Sequence, residues 1–131
     1  MAVGFCGIKP GSEWERKELA KLWGYRSFHA LGRGVFTPRG GSQIILFVTD
    51  EKQESATQYQ DRLDGKELRW EGEEGHRSDQ RIIGAAKNGD VIHIFYRKRH
   101  HQPFTYLGTG QVKKAVEFTD KPSGFVFSIH G

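Results

Sequence analysis

The sequence predicts an α+β, mainly β fold: a curved sheet or partly closed β-barrel with about two flanking helices. Three observations carry this. Most apolar runs are short, rich in Val, Ile, Phe and Tyr, and bounded by Gly, Pro, Asn or Asp clusters. Only two segments carry helical signals. With 131 residues, 36% of them hydrophobic and 12% aromatic, the chain is the size of one domain with one real core. A single domain over residues 1–131 is therefore expected, with a helix at about 13–23 and a β-rich core at about 34–130.

Taken in order, Ser12 stands three residues before Glu15, a capping-box spacing, and Leu19, Leu22 and Trp23 then share one helical face before Gly24. From Gly34 the pattern turns to β. GVFTP, a Gly40-Gly41 turn and SQIILFV read as a hairpin, and the unbroken apolar run of the second arm suits a strand covered on both faces. After a long polar loop, ELRWEGE alternates as a strand does. Ser78, as N-cap, followed by IIGAA predicts a short helix ending near Asn88-Gly89. VIHIFYRKR, FTYLGTGQV, AVEFT and FVFSIH then read as strands separated by turns at 101–103, Gly110 and 121–124. The total is six or seven strands, with the helices covering the ends of the sheet.

The formal net charge is +4, and its distribution says more than its size. Residues 51–80 hold nine acidic and five basic side chains, a balance of −4, whereas the rest of the chain stands at +8. Basic charge is thus segregated from the acidic loop, which points to a polyanionic partner or to an unevenly charged solvated surface. One cysteine, Cys6, allows no internal disulfide, and no apolar run approaches the roughly 20 residues of a membrane span. A reduced, cytoplasmic protein with no membrane partner is expected.

The loop from 55 to 81 holds the residues with the most specific chemistry. Tyr59 and Asp61 are two apart, and Trp70 follows nine residues after Asp61. Two aromatic faces and a carboxylate are the parts that sandwich a planar base and accept from an exocyclic amine such as cytosine N4. The same residues also suit core or rim aromatics and a turn-capping aspartate.

Candidate phosphate or groove contacts surround this loop. Arg97, Lys98 and Arg99 end an apolar strand and enter a turn; a solvated, aggregation-resistant strand edge is the alternative. Arg33 and Arg39 sit on glycine-flanked turns where a backbone approaches a ligand closely. Arg77, Ser78, Gln80 and Arg81 lie at an expected helix N-terminus, although a simple cap explains Ser78 as well.

Enzyme signatures are sparse. The six histidines have no zinc spacing with cysteine, and the adjacent His100-His101 pair would point to opposite faces of a strand. No phosphate-binding loop, nucleophile elbow or HNH-type metal motif occurs. No metal, cofactor or catalytic residue is expected; Asp61 and Glu71 form a conceivable carboxylate pair without a nucleophile.

The succession LWGYRS, GVFTP, IILFVT, YQDRLDGKELRWEGE, SDQRI, GDVIHIFYRK, FTYLGTG and FVFSIHG resembles a family of uncharacterised domains attached to bacterial helicase-nucleases and HNH endonucleases. That family in turn resembles the SRA (SET and RING associated) domains of the PUA-like superfamily. The resemblance covers about residues 19–131 and is strongest from Ile44 to Gly110. It implies an SRA-like fold that reads modified cytosine in double-stranded DNA by flipping the base between two aromatic rings and an aspartate. Trp70-Glu71-Gly72 matches the aromatic-x-Gly unit of those pockets, Asp61 matches the aspartate, and Tyr59 is the nearest first ring. Two departures stand out: Tyr59 is two rather than three residues before the aspartate, and Trp70 replaces the usual second Tyr. GRGVFTPRGG resembles the loop that approaches the groove.

The expected function is therefore a non-catalytic DNA-binding module that recognises a modified base, such as 5-methylcytosine. It would target a fused or partner HNH nuclease or helicase in restriction of modified DNA. An RNA-binding PUA-like module and a small nucleotide- or RNA-processing enzyme using Asp61 or Glu71 are the alternatives.

Overall fold

The computed structural model describes residues 5, 7–31, 34–38, 42–51, 62–71, 79–99, 101–116 and 124–130. Eight strands among them form one sheet: β1 (Glu13–Trp14), β2 (Val35–Phe36), β3 (Gln43–Glu51), β4 (Arg62–Asp64), β5 (Glu67–Glu71), β6 (Val91–Arg99), β7 (Phe104–Val116) and β8 (Gly124–His130). The order is β2-β3-β6-β7-β8-β5-β4, with β1 paired to the start of β7. The two end strands of this path do not pair with each other, so the sheet is open, and the mainly β expectation holds.

The centre of the sheet explains the unbroken apolar runs. β3 and β6 are parallel, and residues along each point alternately to the two faces. Ile44, Leu46, Val48 and Ile94 join one apolar cluster, while Ile45, Phe47 and Phe95 join another. Helices seal both. Leu19 and Ala20 of α1 (Arg16–Leu22) belong to the second cluster, and Ile82 of α2 (Asp79–Ile83) and Ala85 of α3 (Ala85–Asn88) to the first. The helices thus cover the faces of the sheet, not its ends, because each face of the central parallel pair needs an apolar lid.

Several local expectations are corrected. The first helix starts at Arg16, not at 13, because Glu13 and Trp14 are spent on β-pairing with Thr105 and Phe104. Its capping box runs from Glu15 to Glu18, whose carboxylate accepts from the Glu15 N–H at 2.9 Å. Ser12 instead donates to the Lys9 carbonyl and accepts from the Trp14 indole N–H at 2.9 Å. Leu22 is 51% exposed, so the buried stripe is Leu19, Ala20 and Trp23. The second helical segment is broken at Gly84 into α2 and α3, and it ends as expected, with Gly89 left-handed at φ 79°.

Gly110 is not a turn. It lies inside the 13-residue β7, paired with Ile92 and Ile129, so that FTYLGTGQV and Ala115-Val116 form one continuous strand. A Cβ at Gly110 would sit 2.7 Å from Cδ1 of the fully buried Ile94, so that the isoleucine side chain would have to shift. The glycine is there for space. Gly110→Ala is expected to cost about 1–3 kcal/mol by overpacking, and Ile94→Val, which removes the clashing methyl, should recover part of that loss. A thermal-unfolding double-mutant cycle without coupling would refute the contact.

Candidate nucleic-acid interface

Two regions of this scaffold hold the candidate binding residues. The first is the β4–β5 hairpin at one end of the sheet. Its two-residue loop, Gly65-Lys66, opens on a glycine at φ 61°, and the Asp64-Gly65 step is the turn signal that reveals β4 in hindsight. β5 pairs with β8, placing Trp70 opposite Phe125. The indole is 5% exposed and lies 5.5 Å from the Phe125 ring and 6.1 Å from that of Phe127, centroid to centroid. Leu68 points to the same cluster, so Trp70 is held by the core of the sheet.

Tyr59, Asp61 and Gly72 lie outside the described residues, as do Arg33, Arg39, Arg77, Ser78 and His100. Gln80 is exposed on α2. Arg81 is turned towards Asp90, to which its Nε and one terminal nitrogen donate at 3.3 and 3.4 Å, stapling α2 to the turn before β6.

The second region is the far end of β6. Arg97 points to the α1 side of the sheet, following Phe95 in the alternation, while Lys98 and Arg99 are exposed. Arg97 is held firmly: Nε donates to the buried Thr49 hydroxyl at 2.9 Å, Nη1 donates to the Gln102 carbonyl at 3.4 Å, and the guanidinium lies 4.3 Å over the Phe104 ring. His101, at φ 67°, makes the tight return into β7.

Sequence reasoning missed one member of this region. Arg16, the first residue of α1, puts its guanidinium 4.9 Å from the same Phe104 ring and 5.0 Å from Phe47. Burial, and then the charge of Arg97, lower its pKa to about 10; burial alone lowers that of Arg97. Both are still cations at neutral pH. They line an open cleft of about 290 Å³ together with Glu15, Lys17, His101 and Gln102. Nothing in the sequence pairs residue 16 with residue 97.

The fold does not bring the two regions together. Trp70 belongs to the α2–α3 face and Arg97 to the α1 face. Along β7, Phe104 adjoins the arginines and Ala115 adjoins Phe125, eleven residues on, a strand contour of about 36 Å. Arg97 is therefore no wall of a pocket at Trp70.

A family model described as a domain of unknown function, DUF3427, matches residues 8–125. The chain belongs to the DUF3427 family. No curated protein matches it. This DUF3427 domain is similar to the SRA domain of SUVH5, solved in complex with fully methylated CG DNA, with a TM-score of 0.64 and 15% identity over 98% of this chain and 93% of that one. It is also similar to the DNA modification-dependent restriction endonuclease AspBHI, with a TM-score of 0.50 and 15% identity over 67% of this chain and 31% of that one. The fold of this DUF3427 domain is SRA-like, as the succession of motifs implies.

Proposed function

We propose that this DUF3427 domain is a DNA-binding module that recognises a modified base, a cytosine derivative such as 5-methylcytosine, by flipping it out of the duplex. The observation that carries this reading is the near-complete match in fold to an SRA domain that was solved on methylated DNA. Extruding a base costs a few kcal/mol. Stacking on an aromatic face returns about 1–3 kcal/mol, and a carboxylate accepting from cytosine N4 adds selectivity for that base. Tyr59 and Asp61 are the residues assigned to these roles, with Trp70 as the second ring on its apolar footing of Phe125 and Phe127. Arg33, Arg39, Arg77, Ser78, Gln80, Lys98 and Arg99 are the candidate backbone or groove contacts. The domain itself does no chemistry in this reading and directs a fused or associated HNH nuclease or helicase; the likeness to AspBHI supports that context.

The test is fluorescence-anisotropy titration of one duplex sequence carrying cytosine, 5-methylcytosine, 5-hydroxymethylcytosine, N4-methylcytosine or N6-methyladenine, at fixed salt. One modified duplex is expected to bind at least tenfold more tightly than the unmodified one. Tyr59→Ala and Asp61→Asn should each erase about 1–3 kcal/mol of that preference, a factor of roughly 5 to 150. Equal affinity for all five duplexes would overturn base recognition, and tighter binding to a matched RNA would favour the PUA-like RNA reading instead.

A further inference from the structure

The cleft between α1 and the β6–β7 turn lies on the other face of the sheet from Trp70. Its chemistry is specific. Two guanidiniums converge on one buried phenyl ring, at 4.9 Å for Arg16 and 4.3 Å for Arg97. A guanidinium partly stripped of water beside a like charge, as Arg16 is beside Arg97, is costly unless an anion offsets it. Among the described residues no carboxylate pairs with Arg16, and its Nε is buried without a hydrogen-bond partner. Glu15 also lines the cleft, but its carboxylate is paired to Lys17 at 3.4 Å and caps α1. Arg97 is fixed in place by Thr49 and Gln102, so that it loses little freedom on meeting a ligand. Lys17, in its pair with Glu15, and the imidazole of His101 complete the lining. The cleft, at about 290 Å³ and open to solvent, has room for a tetrahedral oxyanion with its substituents.

We infer that Arg16 and Arg97 together clamp one phosphate group of a nucleic-acid backbone, on the face of the sheet opposite to Trp70. A guanidinium offers donors in a planar fork suited to phosphate oxygens. Phe104 and Phe47 hold the Arg16 fork in the cleft. The inference rests on the reading that the domain binds DNA, and it adds a contact blind to the modification: the clamp reads a phosphate, and phosphates carry no base identity.

The experiment follows the arginine Nε–H resonances of Arg16 and Arg97 by NMR during titration with an unmodified duplex and, separately, with inorganic phosphate. It is paired with anisotropy binding of Arg16→Gln to modified and unmodified duplexes over a salt series. Both resonances are expected to move with either probe. Arg16→Gln should weaken both duplexes by the same factor, about 3- to 10-fold at low salt, and reduce the salt slope by roughly one. If the duplex binds while the Arg16 resonance stays still and Arg16→Gln keeps full affinity, the clamp is wrong and the DNA-binding reading stands. If inorganic phosphate moves the resonances and no duplex binds, both the DNA reading and the backbone source of the phosphate are overturned, leaving a site for a free oxyanion. If neither probe moves them, the clamp is overturned whatever the duplex affinity, since anisotropy reports DNA binding independently.

Discussion

Trp70→Ala is expected to lower the unfolding free energy by about 3–5 kcal/mol, the usual consequence of deleting a buried aromatic ring. The indole is 5% exposed and fills the space under β5 against Phe125 and Phe127, so its removal leaves a cavity that a hydrogen-bonded sheet cannot collapse into. Chemical denaturation measures this directly, and a loss below about 1 kcal/mol would mean that the ring is not core. The same residue is assigned to the base pocket, and alanine alone cannot separate the two roles. Trp70→Phe can. It keeps a ring on the same footing at a smaller stability cost, and at a temperature where the variant is fully folded its preference for the modified duplex should fall several-fold. An unchanged preference would confine Trp70 to the core and leave recognition to Tyr59 and Asp61.

Acid should destabilise the domain through His93. Its ring is 6% exposed on β6, stacked on Phe5 at 3.6 Å between centroids, with Nδ1 sharing a hydrogen with the Tyr106 hydroxyl at 2.8 Å and Nε2 buried without a partner among the described residues. A second ring proton would enter a site with nothing to receive it, and burial accordingly lowers the His93 pKa to about 4 from an ordinary 6.5. The unfolded chain thus takes up the proton first as pH falls. The contribution of neutral His93 is complete above about pH 6.5 and is lost progressively down to about pH 4, where the folded protein also begins to protonate. Over that window the loss approaches about 3 kcal/mol. In His93→Leu the slope of unfolding free energy against pH between 4 and 6.5 should flatten by about 1.4 kcal/mol per pH unit at most. An identical slope in both proteins would show that His93 protonates freely when folded.

The two predictions come from residues of different legibility. The unbroken apolar run IILFV announces a strand covered on both faces, and the structure divides it between two clusters as the period-2 alternation requires. The Asn88-Gly89 stop, the turn before Phe104 and the strand at Trp70 are equally local, each signalled by residues adjacent in the chain. Gly110 misleads for a physical reason: a glycine required by close packing against Ile94 looks the same in sequence as one required by a turn. The first helix begins late because a contact 90 residues away claims Glu13 and Trp14 for the sheet. Ser12, with a correct capping spacing, thereby loses its helix to Glu15.

The candidate site divides in the same way. Sequence order alone carries the SRA-like succession and nominates Trp70 and Arg97, because the aromatic-x-Gly unit and the basic strand end are contiguous strings. It determines the mainly β architecture through alternation and turn chemistry, both set by neighbouring residues. Only the tertiary structure decides that Trp70 stands in the core, that Arg81 is turned to Asp90, and that Arg16 meets Arg97 over Phe104. Those outcomes depend on which distant surfaces the sheet order brings into contact, and strand order is set by the free energy of the whole packed sheet, which no local string encodes.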